Sequence, residues 1–415
     1  MNDQIVTFDL LLEKYAYGGD AMGRLSDGRA VFVPFGLAGE KVRVRLTEDK
    51  KNFARGEIVE ILESSKDRIQ PQCKHFMECG GCHYQHLPYE KQLEIKTEIL
   101  IDQLKRIGKI ENPPVQSIIA SPNPWNYRNH IQFSLTEDGK LGFQAPNSNK
   151  VIPITECHLP ESSINNFWQQ LEFEQGMDIE RVALRSDADE DLMLVLESDA
   201  PEPPELEIEA GISITHVYED NTVVIAGNDH LLIRVFDRDF KVSAPSFFQV
   251  NTAMAEKMVQ HLIDQLSLNQ SSTLLDVYCG VGLFSAFFAS RYERLIGIES
   301  SESACEDFAV NLDEFNNVEL YQGTTEEILP GLVNQIGNNP LYAIIDPPRA
   351  GIERHALDAL VQLKPEIITY VSCDPSTLAR DAKRMLENGY KLKQVTPFDL
   401  FPQTYHIESI SIFER

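Results

Sequence analysis

The chain has 415 residues, 42% hydrophobic and 24% charged, which is enough for two or three domains that each bury a core. No apolar run is long enough to cross a bilayer, and the N-terminus lacks the charged, apolar, then small layout of a signal peptide. A cytoplasmic protein with no membrane partner is expected. The net charge of −27 argues against a polyanionic partner, but residues 171–220 hold 16 Asp and Glu against only Arg181 and Arg185. That stretch reads as a solvated acidic face and leaves the rest of the chain free to carry a basic groove.

Residues 1–65 read as short strands cut by glycine turns. In KVRVRL, alternation places Lys41, Arg43 and Arg45 on one face and Val42, Val44 and Leu46 on the other. A small β-barrel with one basic edge would suit single-stranded nucleic acid, although an ordinary exposed strand face explains the pattern equally well. Next come Cys73, Cys79 and Cys82, spaced C-x5-C-x2-C, with Cys157 following in ITECHLP. Seven cysteines in an intracellular chain point to metal binding or catalysis rather than disulfides. Four thiolates suit either structural zinc or a four-iron four-sulfur cluster, and spacing alone favours zinc. His75, His83 and His158 lie nearby in sequence and are surplus to such a site.

Leu93, Lys96, Leu100, Leu104 and Ile107 recur at helical spacing, predicting a helix over 88–108 that stops at Gly108. From 115 to 240 the pattern is strand-like, with a hairpin turning at Asp138-Gly139. After 241, strands and helices alternate, which predicts a parallel, doubly wound sheet. The domain boundaries follow as 1–65, 66–240 and 241–415.

LLDVYCGVGLFS runs from an apolar strand into a Gly280/Gly282 turn, and the next strand ends on Glu299, roughly twenty residues on. An acid there can accept both hydroxyls of a ribose, and the lack of a later glycine suits a nucleoside better than NAD. LYAIIDPPR brings Asp346 to the same sheet edge. Asp276 is a third acid at these strand ends. VSCDPSTLAR then places Cys373 where a strand gives way to a loop, as a plug or as a nucleophile. For Cys279 and Cys305 the small apolar reading wins. FPQTYHIESI offers His406 and Glu408 as candidate bases.

DVYCGVGLFS, DPPRAG, VSCDPSTLARD and FPQTYHIESI together resemble the S-adenosylmethionine-dependent RNA (uracil-5-)methyltransferases. The likeness is strongest to the 23S rRNA members with an N-terminal TRAM barrel and an iron–sulfur cluster. It implies a multidomain α/β protein with an OB-like TRAM barrel, a central β-rich iron–sulfur domain and a Rossmann-like methyltransferase domain. It also implies that Gln249, Tyr278, Glu299, Thr324 and Asp346 hold S-adenosylmethionine, although Thr324 stands where the family often has another polar residue. Cys373 becomes the nucleophile and Glu408 the base. Cys73, Cys79, Cys82 and Cys157 become ligands of a 4Fe-4S cluster. The acidic stretch lies outside the family pattern.

The chemistry fits these assignments. Uracil C5 attacks a methyl sulfonium only after a thiolate adds at C6, and the C5 proton must then leave to a base. The expectation is a monomeric enzyme acting on 23S rRNA. A tRNA uracil-54 enzyme is one alternative, and a non-catalytic iron–sulfur RNA-binding protein is another.

Overall fold

A computed structural model describes residues 6–206, 211–219, 221–266, 269–333, 335–336 and 339–415. Residues 1–5, and Glu207, Glu209 and Asp220 of the acidic stretch, lie outside the described residues. The chain groups into two compact units. One comprises Met1–Asp102, Phe143–Ile152 and Phe401–His406, and the other takes the remainder.

In the first unit, β1 (Thr7–Tyr15), β2 (Ala21–Arg24), β3 (Ala30–Val33), β4 (Lys41–Asp49) and β5 (Phe53–Glu63) close a barrel in the order β1-β2-β3-β5-β4. Strand alternation turns Leu10, Leu12, Val31, Val33, Val42, Val44 and Ala54 into its core. Glu40 is fully buried beside it. Its carboxylate accepts from Arg68 Nε and Nη2, both at 2.7 Å, and from the amides of Leu37 (2.9 Å) and Ser65 (3.2 Å).

The expected basic edge needs correction. Lys41, Arg43 and Arg45 do share the outer face of β4, but each meets a carboxylate. Lys41 pairs with Glu63 at 3.6 Å, Arg43 with Asp9 (2.8 Å) and Glu60 (3.0 Å), and Arg45 with Glu57. The pattern of one strand could not show that β1 and β5 lay acids beside it. On this face three cations meet four carboxylates.

The helix predicted over 88–108 is α1 (Tyr89–Arg106), which ends one turn after the chain passes into the second unit. Its buried stripe includes Ile95, Ile99 and Leu100 and also Lys96, whose ammonium donates to the Phe401 carbonyl at 2.9 Å.

Next in the chain come β6 (His130–Leu135), β7 (Leu141–Gln144), β8 (Val151–Pro153), α2 (Ser162–Trp168), β9 (Arg181–Ser186), β10 (Leu192–Glu197), β11 (Ser213–Tyr218) and β12 (Asn221–Ala226), which belong to the second unit except where β7 and β8 run into residues 143–152. These strands form a sheet in the order β12-β11-β10-β9-β6-β7-β8. The hairpin turns where the sequence places it, with Gly139 at φ +78° and β6 Ser134 opposite β7 Gly142. Arg185, one of the two cations in the acidic stretch, is buried and donates to the carbonyls of Ser243 (3.1 Å) and Ser246 (2.9 Å).

A hairpin follows, β13 (His230–Val235) with β14 (Arg238–Ser243), and then α3 (Thr252–Gln265). The C-terminal part alternates β15 (Asn269–Val277), α4 (Leu283–Phe288), β16 (Tyr292–Glu299), α5 (Glu302–Asn311), β17 (Val318–Gln322), α6 (Thr325–Leu332), β18 (Leu341–Ile345), α7 (Arg354–Leu363), β19 (Ile367–Ser372) and α8 (Pro375–Glu387). It closes with β20 (Lys391–Phe398) and β21 (Glu408–Glu414). The sheet order is β17-β16-β15-β18-β19-β21-β20, parallel except for β21, which slots between β19 and β20. The expected doubly wound sheet is present, and its carboxyl edge carries the site.

Candidate active site

Strand β15 ends on a backbone that only a tight turn tolerates. Tyr278 sits at φ +64°, Gly280 at +53° and Gly282 at +89°. A Cβ on Gly282 would come within 2.4 Å of Leu312 and 2.9 Å of Phe308 on the α5 side, so this position requires glycine. Glu299 braces the turn. One of its oxygens accepts from the Gly280 amide at 2.9 Å, and the other from the amides of Ser300 (2.7 Å) and Ser301 (2.8 Å).

A cavity of about 760 Å³ opens here, with Tyr278, Glu299, Gly323, Thr324, Pro348 and Gly351 among its wall residues. Tyr278 is therefore a cavity residue and not a core plug, its hydroxyl bonded to Thr325. Thr324 has structural work of its own, because its hydroxyl donates to Glu327 at 2.9 Å across the first turn of α6. Asp276, fully buried, accepts from the Ser285 hydroxyl at 2.6 Å, while its other oxygen has no hydrogen-bond partner. Burial pushes its carboxyl up to about 6.

Asp346, Cys373 and Glu408 lie further along the same edge. Asp346 directly follows β18, its amide donating to the Val277 carbonyl at 3.1 Å. Cys373 directly follows β19. Glu408 opens β21, where Ser409 pairs with Ser372. That pair is the last of the ladder, so Cys373 and Glu408 are the next residues along at the same end of the two strands.

The electrostatics reflect that crowding. Burial, then Glu408 and Asp346, pushes the Cys373 thiol up to about 12. Burial and then Asp346 hold Glu408 well above the usual carboxylate range. Burial and Asp276 raise Asp346 to about 7. Arg349 is the cation that opposes both Cys373 and Glu408. It lay in DPPRAG unremarked, although a lone cation three residues after a site acid was a readable signal.

Cys279 and Cys305 are buried with raised thiol pKa values, as small apolar side chains would be. Gln249 is half-buried ahead of α3, its carbonyl accepting from Asn129 at 3.1 Å. Among the described residues, neither it nor Asp346, Cys373 or Glu408 forms part of the cavity wall.

His406 belongs to the first unit, its ring packed on Tyr405 and Phe401. Cys73, Cys79 and Cys82 lie in the first unit and Cys157 in the second. Among the described residues no group of three or more His, Cys, Asp and Glu is gathered to hold a metal ion, so the four-cysteine site is not visible as a ligand set.

The sheet order with its single reversed strand, the glycine turn and the acid on the neighbouring strand define a Rossmann-like methyltransferase domain. Residues 220–415 match the family described as tRNA (Uracil-5-)-methyltransferase, and residues 6–59 match the TRAM domain. An RNA methyltransferase of Caldanaerobacter subterraneus is 34% identical over 446 residues, covering 98% of each chain. One of Chlorobaculum tepidum is 32% identical over 470 residues, covering 98% of this chain and 96% of that one.

Among solved structures, the Pyrococcus abyssi tRNA (uracil-54, C5)-methyltransferase in complex with S-adenosyl-L-homocysteine matches with a TM-score of 0.74 at 26% identity. The match covers 98% of this chain and 99% of that one. The chain belongs to the RNA (uracil-5-)methyltransferase family and is a TRAM-containing, S-adenosylmethionine-dependent enzyme of it. A non-catalytic scaffold is thereby set aside. Among the described residues no helix is long and apolar enough to cross a membrane.

Proposed function

We propose that this enzyme methylates C5 of a specific uridine in 23S rRNA through a covalent bond between Cys373 and uracil C6. The observation that carries this reading is the β19–β21 ladder, whose last pair, Ser372 with Ser409, leaves Cys373 and Glu408 next along at one strand end, with Asp346 following the adjacent β18. The cavity beside Tyr278 and Glu299 has room for a nucleoside cofactor. Tyr278, Glu299 and Thr324 would hold S-adenosylmethionine from the cavity wall, with Gln249 and Asp346 reaching it from outside that wall. Once bound, it supplies an electrophilic methyl group beside the target base.

Cys373 gives its proton to water, the thiolate bonds to C6, and the displaced electron pair gives an enolate nucleophilic at C5. After C5 has taken the methyl group, Glu408 as carboxylate removes the C5 proton. The C6–S bond then breaks and the uracil double bond reforms. A carboxyl held above its usual range is a stronger base for that step, and Arg349 balances the charge. The stacked surroundings of His406 offer it no comparable place at the strand end.

The combination of barrel and four cysteines supports 23S rRNA. The likeness to a tRNA uracil-54 enzyme supports a second reading in which the substrate is tRNA. Purified enzyme given 23S rRNA or tRNA carrying tritium at uracil C5 decides between them, since each methylation releases one tritium to water. Release from neither RNA would overturn the proposal. The 4Fe-4S cluster on Cys73, Cys79, Cys82 and Cys157 is proposed on donor chemistry and family likeness. Iron and acid-labile sulfide in anaerobically prepared protein would support it, and stoichiometric zinc would refute it.

A further inference from the structure

Helix α8 does more than follow Cys373. Its N-cap, Asp374, accepts from the amides of Ser376 (2.8 Å) and Thr377 (3.0 Å), while the Ser372 hydroxyl donates to the Asp374 carbonyl at 3.0 Å. The lead-in that holds the thiol is thus fixed to the first turn of the helix. Two turns on, Arg380 and Asp381 grip the loop that leaves Asp346.

Asp381 is buried at 3% exposure. One oxygen accepts from the Ile352 amide at 3.2 Å and from the Tyr370 hydroxyl at 2.8 Å, and the other accepts from Arg380 Nε at 2.7 Å. Arg380 Nη2 in turn donates to the carbonyls of Ala350 (3.0 Å) and Ile352 (3.4 Å). Gly351 lies between these two carbonyls at φ +74°. A Cβ there would stand 2.5 Å from both Arg380 Nη2 and Asp381 Oδ2, and 3.1 Å from Thr377 Cβ. Backbone and side chains are in contact with no atom to spare. Tyr370 is fully buried on β19, three residues before Cys373, so the same carboxylate is tied to the strand that delivers the thiol.

We propose that Arg380 and Asp381 are positioning residues that set the loop carrying Asp346 and Arg349 against Cys373, using α8 as a rigid spacer. This rests on the reading of Cys373 as nucleophile. Three facts favour a role beyond stability. The clamp reads both polar faces of the loop, amide and carbonyls. It holds the one short segment that carries both the site acid and its opposing cation. Arg380, Asp381 and Gly351 also stand in the wall of the cavity itself. A displacement of about 1 Å in such a segment can cost up to about a hundredfold in rate.

The test compares wild type with Asp381→Asn, Gly351→Ala and Tyr370→Phe. It reads the rate of covalent adduct formation on 5-fluorouridine RNA at saturating S-adenosylmethionine, alongside cofactor affinity and melting temperature. Asp381→Asn keeps an acceptor for Tyr370 and Ile352 but loses the charge facing Arg380. It is expected to slow adduct formation about 10- to 100-fold at saturating cofactor, so the loss falls in kcat. Gly351→Ala should do the same from the loop side, and the double variant should be no slower than the worse single, because both displace one loop. Tyr370→Phe removes one donor and should cost less than about threefold. Adduct formation per folded molecule unchanged in Asp381→Asn, or multiplicative losses in the double variant, would overturn the proposal. Absence of any adduct in wild type would instead indict the nucleophile assignment.

Discussion

Replacing Asp346 by Asn should make Cys373 a more reactive thiol. The thiol stands near 12 against an ordinary 9.0, so at neutral pH it holds about a thousandfold less thiolate than a free cysteine. Burial is the largest cause, then Glu408, then Asp346. Burial and then Asp346 raise Glu408 as well, and because it is the proposed base its removal would change the chemistry along with the field. Asp346 titrates near 7 and is charged at pH 8, which makes it the usable lever. For unit charges about 6 Å apart, roughly one strand spacing plus a side-chain offset, an effective dielectric of about 20 gives about 2.8 kcal/mol, or about 2 pKa units, as an upper bound. Both groups keep some access to solvent, so a shift of 1 to 2 units, a 10- to 100-fold faster alkylation, is the expected size. Iodoacetamide labelling at pH 8, read on the Cys373 peptide by mass spectrometry, measures it. Wild-type Cys373 should label far more slowly than a free thiol, with a rate still rising at pH 10. A wild-type rate that levels off near pH 9, or an Asp346→Asn rate equal to wild type, would refute the electrostatic account of the site.

Glu408→Gln should still attack C6 and transfer methyl, then stall with a methylated protein–RNA adduct visible on a denaturing gel; normal turnover would rule out Glu408 as base. Changing Lys41, Arg43 and Arg45 together to Ala should alter RNA affinity by less than about threefold and leave its salt slope unchanged, because each cation already faces a carboxylate. A clearly flattened slope would return that face to RNA. Glu40→Gln should destabilise the protein by about 3 kcal/mol at pH 7, the cost of breaking a buried pair. Although burial raises Glu40, Arg68 and the amides lower it further, so its folded pKa lies below 4.5. Its stabilisation is complete above that value and is lost as pH falls through the folded pKa. The melting-temperature gap between wild type and variant should therefore narrow from pH 5 to pH 3, and a widening gap would contradict the pairing.

The catalytic half was legible because its signals are local. Apolar strands, a glycine turn and acids at strand ends repeat in chain order, and β15, β16, β18 and β19 follow them. Cys373 and Glu408 needed only one inference beyond that, the insertion of β21 beside β19. Arg380 and Asp381 were passed over because their partners, Ala350 and Ile352, stand about thirty residues away and bond through backbone groups that no side-chain pattern reports. The barrel misled for a related reason. Alternation in KVRVRL fixes which side chains share a face but says nothing of the acids that β1 and β5 bring alongside.

The central claim is that Cys373 bonds to uracil during methyl transfer, and one measurement bears on it most directly. RNA substituted with 5-fluorouridine, incubated with wild-type enzyme and S-adenosylmethionine, is resolved under denaturing conditions, and any cross-linked peptide is sequenced by mass spectrometry. Fluorine cannot leave C5 as a cation, so the reaction should stop with the methylated base attached to the peptide containing Cys373. Cys373→Ala should bind the same RNA and form no adduct. Enzyme that methylates ordinary RNA yet gives no fluorouridine adduct, or gives one through another residue, would contradict the claim.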